Sequence, residues 1–202
     1  CQIASTLFNT QTKIARIRQA EYTKHSELFS EGNIPVDYIL SPEELVTNYI
    51  SEVIEHPGAF QVLNFANGKI KMVGVKTKQH GFLVDQPISH LHNHLGNEKV
   101  RIAALYRDGE MISPKGDTLI KEGDEVYFIA SPGEIDNMIT EFNQDQEKAR
   151  NITIAGGGRV GFKLAAYLEN DNHVKIIEKD TKRAKHIAEK LQSAVVLKGD
   201  SA

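Results

Sequence analysis

Cysteine occurs once in these 202 residues, at Cys1. A single thiol excludes an internal disulfide framework. No apolar run approaches the roughly 20 residues that a helix needs to cross a bilayer. Any membrane association is therefore expected to run through a partner protein. A basic excess is missing as well: 24 Lys and Arg stand against 27 Asp and Glu, the formal net charge is −3, and the lysines are interspersed with acids. That distribution gives no electrostatic case for nucleic acid as a partner. What is present, 40% hydrophobic and 25% charged residues, describes an ordinary globular chain of one or two domains.

Against that background the densest local signal is at residues 152–161. Ile152-Thr-Ile-Ala155 reads as a buried strand, and Gly156-Gly157-Gly158-Arg159-Val160-Gly161 follows as a G-x-G-x-x-G turn into a helix. Adjacent glycines cost about 1 kcal/mol each against alanine in a helical position, so they are expected to serve backbone geometry. Gly156 permits the tight turn, Gly158 lets the chain approach a pyrophosphate, and Gly161 lets the helix press on the sheet. The helix carries Val160, Leu164, Ala165 and Leu168 on one side. Its N-terminal N–H groups and dipole, equivalent to roughly half a positive charge, face the phosphates.

The residues that follow strengthen this reading. A second strand, 174–177, ends at Glu178, close to the roughly 20-residue offset at which an acid meets a ribose hydroxyl, and a carboxylate there favours NAD over NADP. Residues 181–191 read as a helix with Ala184, Ile187, Ala188 and Leu191 in phase, and 194–197 as a third strand ending in Gly199-Asp200. The order βαβαβ predicts a parallel sheet. The competing reading is another α/β fold whose glycines serve packing alone. Residue 1 is Cys, and 1–8 resembles the middle of an apolar helix, while the last strand falls just before Ala202. Both ends are expected to be cuts inside a longer protein, leaving the nucleotide unit incomplete here.

Upstream, 1–40 reads as helix, strand 12–18, polar helix 21–29 and short strand 34–40, the closing half of another doubly wound domain. Ser41-Pro42-Glu43-Glu44 is a helix start with Ser as N-cap, Pro in the first position and Glu closing a capping box. The helix then runs to His56-Pro57-Gly58 and spans 41–58 as a crossover arm. Residues 59–142 have a different grammar: strands 60–65 and 69–76 joined at Asn67-Gly68, strands 100–106 and 125–130, and a closing helix 133–142 with Ile135, Met138, Ile139 and Phe142 in phase. This is a small α+β domain without a nucleotide fingerprint. A polar linker, 143–150, leads to the glycine turn and the final segment, 151–202.

Taken in order, Ile14-Ala-Arg-Ile-Arg18 with Tyr22, Ile34-Pro-Val-Asp37, Ser41-Pro-Glu-Glu44, His56-Pro-Gly-Ala59, Arg101-Ile-Ala-Ala104, Ser113-Pro-Lys-Gly116 and Gly123-Asp-Glu-Val126 resemble the RCK (or KTN) family of potassium-uptake regulators. The resemblance covers the whole chain. It implies an α/β protein: Rossmann-like doubly wound lobes, both incomplete here, flanking a small α+β lobe of the RCK C-terminal type. It further implies NAD(H), with ATP or ADP as further ligands, a homotetramer, and docking without direct membrane insertion on the cytoplasmic face of the bacterial inner membrane. There the partner is a TrkH/TrkG-like potassium channel or transporter subunit. Gly156 to Gly161 then hold the pyrophosphate, Glu178 the ribose, and Gly199 and Asp200 lie near the adenosine. Most relatives carry Asp where this chain has Glu178, which reaches one methylene further. Arg16 approaches nucleotide in the first lobe, where a guanidinium suits phosphate. The alternatives are an edge-strand arginine for Arg16 and a plain turn residue for Asp200.

Two functional classes compete. A regulatory module needs only differential nucleotide affinity between two lobe arrangements. The alternative, a fragment of an NAD-dependent oxidoreductase, needs a proton donor or hydride-orienting group. Tyr106, Tyr127 and Asp124 sit in strand and turn contexts that fold-building explains, so no catalytic residue is assigned. His90, His92 and His94 alternate as strand ligands for Zn²⁺ or Ni²⁺ would. The neighbouring Gly96-Asn97 and the lack of a nearby Cys favour a polar loop, and no metal is assigned.

Overall fold

The computed structural model of the chain describes residues 1–18, 22, 25–30, 32–91, 100–144 and 147–201. They form two compact units, Cys1–Asn48 with Thr153–Asn170 and Val174–Ala202, and Tyr49–Ile152 with Asp171–His173.

In the first unit, α1 (Gln2–Phe8) ends at Asn9 in the left-handed conformation. β1 (Ile14–Arg16) pairs in parallel with β2 (Tyr38–Leu40), placing Ile14 opposite Tyr38 and Arg16 opposite Leu40. Both strands are shorter than the pattern predicts. Pro35 has no N–H to offer a ladder, and the Asp37 carboxylate takes the Lys13 N–H at 2.6 Å. Of the helix expected over 21–29, a 3₁₀ turn at Ser26–Phe29 is seen, and 19–21 and 23–24 lie outside the described residues. α2 (Pro42–Glu55) starts where its sequence says. The Ser41 carbonyl accepts from the N–H groups of Glu44 and Leu45, both at 3.0 Å. Glu44 does not close the expected capping box; its carboxylate accepts from Lys163 at 2.7 Å, because a cation offers it more than a backbone amide does.

The second unit is built on a five-stranded antiparallel sheet. β3 (Ala59–Phe65), β4 (Ile70–Lys76), β5 (Val100–Arg107), β6 (Glu110–Ile112) and β7 (Glu125–Ala130) lie in the order β3-β4-β7-β5-β6. The turn between β3 and β4 begins one residue before the predicted Asn67-Gly68: Ala66, Asn67 and Gly68 all have positive φ, and the Gly68 N–H bonds the Phe65 carbonyl at 3.0 Å. Asp108 and Gly109, with φ of 52° and 83°, turn β5 into β6. A 3₁₀ turn at Pro132–Glu134 leads into α3 (Ile135–Phe142), whose Ile135, Met138, Ile139 and Phe142 are buried as their spacing predicts. Period-two alternation puts Val73 and Val75 of β4 and Val126, Phe128 and Ala130 of β7 in the same core. Phe128 and Phe142 stack there, with ring centroids 5.9 Å apart.

Two charged contacts brace this unit. Asp124, fully buried, receives Arg107 Nε and Nη2 at 2.8 Å each and the Lys121 N–H at 2.8 Å. That fork raises the Arg107 pKa, the Asp124 hydrogen bond being the largest cause. Glu52 of α2 accepts from Lys71 Nζ and from Asn64 Nδ2, at 2.5 and 2.7 Å. Burial pushes the Glu52 carboxyl up, and the Lys71 and Asn64 hydrogen bonds outweigh it and hold it below the usual range.

The chain then returns to the first unit through β8 (Asn151–Ala155), α4 (Arg159–Leu168), β9 (His173–Glu178), α5 (Thr181–Ala188) and β10 (Val195–Lys198). β9 is central, flanked by β8 and by β10, to which it is parallel, with Lys175 opposite Val195 and Glu178 opposite Lys198. This is the strand order of the first half of a doubly wound sheet. Leu164, Ala165 and Leu168 of α4 and Ala184 and Ile187 of α5 are buried, with Val174 and Ile176 of β9. α5 stops at Ala188, short of the expected 191, and Leu191 is buried beyond its end.

Two core substitutions test this account. Arg107→Ala leaves a buried carboxylate without its cation and is expected to cost about 3–5 kcal/mol. Phe128→Ala, which removes a buried ring, is expected to cost a similar amount, about 3–5 kcal/mol. Both are read from urea midpoints of the second unit's transition, and a loss under about 1 kcal/mol for either would contradict the packing described.

Candidate functional site

The C-terminal ends of β8 and β9 meet at the glycine turn. Gly156 has φ of +99°, a left-handed backbone that glycine adopts without penalty, and its N–H bonds the Ile177 carbonyl at 2.8 Å. A Cβ on Gly161 would fall 2.1 Å from the Gly156 carbonyl oxygen, so α4 packs against the turn at a distance only glycine allows. At Gly158, the N-cap of α4, φ is −65° and a Cβ would meet nothing within 4 Å. That glycine therefore faces open space, and the first N–H groups of α4 have no acceptor within the helix.

Glu178, at the end of β9, is 9% exposed. Its Oε2 accepts from the Gly157 N–H and its Oε1 from the Asp180 N–H, both at 2.8 Å. These bonds, that from Asp180 foremost, hold the carboxyl below the usual range. The predicted ribose ligand thus braces the glycine turn. Asp180 in turn caps α5, its Oδ1 accepting from the Arg183 N–H at 2.7 Å.

A groove of 290 Å³ opens beside the turn, with Gly157, Gly158, Arg159 and Phe162 on one side and Arg183, His186 and Ile187 on the other. Phe162, Arg183 and His186 were not among the residues singled out from the sequence; Phe162 follows the glycine turn on α4, and Arg183 and His186 stand on the helix that follows the acid. Arg159 and Arg183 give the groove two guanidinium groups. Val160 is half-buried behind the turn. Gly199 donates its N–H to the Glu178 carbonyl at 3.1 Å, and Asp200 pairs with Lys179 at 2.6 Å on the surface. Arg16 is exposed on β1 and lines a different cavity, of 640 Å³, with Arg18, Tyr22, Leu28, Phe29 and Arg159 among its walls. Arg159 is thus common to both spaces.

Glu169 is a structural counterpart that was not singled out from the sequence. Its Oε2 accepts from the N–H groups of Gln192, Ser193 and Ala194 at 2.8–3.0 Å, fixing the approach to β10. Burial pushes this carboxyl up, and the Ser193, Ala194 and Gln192 N–H groups outweigh that and hold it low. An acid at a helix C-terminus opposes the dipole, and that local misfit is its trace in the sequence.

Of the three histidines, His90 is exposed and His92 and His94 lie outside the described residues. Glu52, Glu55 and His56 bring ligand atoms within 4.8 Å of one another. The Lys71 ammonium already lies on Glu52 and 3.2 Å from His56 Nε2, and Asp136 takes the other ring nitrogen at 2.7 Å. A lysine occupies the place of a cation there. Among the described residues, no helix is long and apolar enough to cross a membrane.

Residues 75–143 match the TrkA-C domain and residues 152–202 the TrkA-N domain. The chain is 43% identical over 203 residues to the Trk system potassium uptake protein TrkA of Vibrio alginolyticus, and 42% identical over 201 residues to that of Halomonas elongata. Each alignment takes in all of this chain and 44% of the relative, so the chain spans a little under half their length. In fold it is similar to the GsuK channel, with a TM-score of 0.55 at 16% identity over 94% of this chain and 32% of that one. It is likewise similar to the GsuK channel bound to NAD, with a TM-score of 0.54 at 14% identity and the same coverages. An α/β chain with a Rossmann-type glycine turn, it shares its fold with the GsuK RCK domain and the GsuK channel. It carries the two domains, TrkA-C and TrkA-N, that give the TrkA family its models, and all of its length is similar to a part of TrkA proteins.

The glycines separate by role. Gly158→Ala is expected to leave stability within about 0.5 kcal/mol, since its Cβ points into open space. Gly161→Ala is expected to cost more than about 2 kcal/mol, because the Gly156 carbonyl must move. Thermal unfolding of the two variants decides this, and equal effects would refute it. The depressed carboxyls of Glu178 and Glu169 contribute stability that is fully present above the unfolded carboxylate pKa, about 4.3. It is lost as pH falls through their lower folded values. Glu169→Ala, which strips the acceptor from three backbone N–H groups, is expected to cost about 2–4 kcal/mol at pH 7. It should also flatten the acid limb of the stability profile, and an unchanged limb would contradict the assignment.

Proposed function

We propose that the chain is the nucleotide-sensing part of a peripheral regulatory subunit that controls potassium uptake through a Trk-type membrane partner. The observation that carries this is the glycine turn itself, open at Gly158, closed by Gly161 and braced by Glu178. Gly156 to Gly161 would take the phosphates of NAD(H), or of ATP or ADP, against the N-terminus of α4. Glu178 would accept from the ribose hydroxyls, Arg159 and Arg183 would neutralise phosphate charge, and Gly199 and Asp200 would border the adenosine side. Arg16 would serve a nucleotide of the first lobe.

Support comes from the TrkA-N match over this segment, the potassium-uptake names of the relatives, and a structural neighbour that is a channel bound to NAD. In this reading 1–40 closes a first nucleotide lobe, 41–58 is a crossover helix, 59–142 a C-lobe, 143–150 a linker and 151–202 the start of a second nucleotide lobe. The subunit assembles as a homotetramer on the cytoplasmic face of the membrane. Ligands act by binding one arrangement of the lobes better than another, and no bond need be made or broken.

Calorimetric titration of NADH, with ATP as competitor, into the full-length protein tests this. Saturable micromolar binding without NADH turnover is expected. Gly158→Asp, which puts bulk and negative charge where phosphate would lie, should abolish binding while the 59–142 region stays folded. Undiminished affinity in that variant would withdraw the site.

A further inference from the structure

We infer that Arg159 is a positioning residue shared between the glycine turn and Glu43 of the crossover helix, so that nucleotide phosphate must draw it away from Glu43. The inference rests on the nucleotide-binding reading and adds a route by which occupancy reaches α2.

Arg159 stands at the first position of α4, directly after Gly158, and lines the groove. Its Nη1 lies 3.8 Å from Glu43 Oε1, and the Arg159 side chain is 59% exposed against 14% for Glu43. The other Glu43 oxygen, Oε2, is buried without a hydrogen-bond partner. One turn further along α4, Lys163 holds Glu44 at 2.7 Å, so Glu44's demand is met and Glu43's is not. A carboxylate mostly out of water with one oxygen unsatisfied is costly unless a cation stays near it. Arg159 is the cation in that place, and its long, exposed side chain can also reach the mouth of the groove.

A phosphate on the turn offers the guanidinium a bidentate partner with more charge than one loosely held carboxylate. Binding therefore pulls Arg159 toward the groove and leaves Glu43 uncompensated, which loosens the first turns of α2. By linkage, whatever holds Glu43 on Arg159 weakens the nucleotide by the same factor. Glu43 is in this sense an internal competitor for the cation that the ligand uses.

The test is a double-mutant cycle on the full-length protein, titrated with ATP and with NADH. Glu43→Gln is expected to tighten binding about two- to fivefold, the range of a long ion pair whose cation is exposed. Arg159→Gln is expected to weaken it about tenfold or more. In the Arg159→Gln background Glu43→Gln should change nothing. Should Glu43→Gln unfold the chain, Glu43→Asp, which withdraws the carboxylate by one methylene, should move affinity in the same direction. Hydrogen exchange of 42–48 is expected to speed up on adding ATP to the wild type and to stay level in Arg159→Gln. Unchanged affinity in Glu43→Gln, or equal tightening in both backgrounds, overturns the sharing of Arg159 and leaves the nucleotide site standing. No binding of either nucleotide by the wild type overturns both.

Discussion

Glu178 ends β9 with a carboxylate whose two oxygens are divided between the Gly157 and Asp180 N–H groups. Those two bonds hold the glycine turn to the strand tip and the strand tip to the start of α5. Everything about the candidate site follows from that bracing. The left-handed turn at Gly156 keeps its shape, α4 can lie against the Gly156 carbonyl through Gly161, and the groove keeps its cationic side chains on two helices with fixed origins. The turn's shape is set by bonds within the fold, its Gly156 and Gly157 N–H groups being taken by the Ile177 carbonyl and the Glu178 carboxylate. The carboxylate is ionised in the role because backbone N–H groups stabilise the charged form.

The second unit meets a different constraint. Its sheet is antiparallel, and the side chains on one face bury a single core under α3. The charges that enter it are matched one by one. Asp124, fully buried, has the Arg107 fork and a backbone N–H, and Glu52 has Lys71 and Asn64. Removing either member of such a pair leaves a charge without water or partner. The same logic separates Glu44, satisfied by Lys163, from Glu43, half satisfied beside Arg159. Two adjacent acids on one helix are thus unequally satisfied.

Some of this was legible in the residues. Gly156 to Gly161 after an apolar strand announced a turn into a helix, Ser41-Pro42 announced the start of α2, and the phase of Ile135, Met138, Ile139 and Phe142 announced the buried face of α3. Local patterning failed where bonds between distant residues overrode it. Asp37 on the Lys13 N–H shortens the expected strands, Lys163 takes Glu44 out of a capping box, and Asn67-Gly68 yields the first place in its turn to Ala66.

By itself, the sequence determined the backbone events: where glycine relieves a left-handed φ, where proline denies an N–H, where periodicity of two or of 3.6 sets a face. Those depend on neighbours within a few residues, so they are written locally. The tertiary structure alone decided the partners of the charges. Glu178 closing on Gly157 across 21 residues, Glu169 on Ser193 across 24 and Lys163 on Glu44 across 119 are choices made by folded distance. Coulomb energy and hydrogen bonding depend on separation and burial in space, and neither can be read from spacing along the chain.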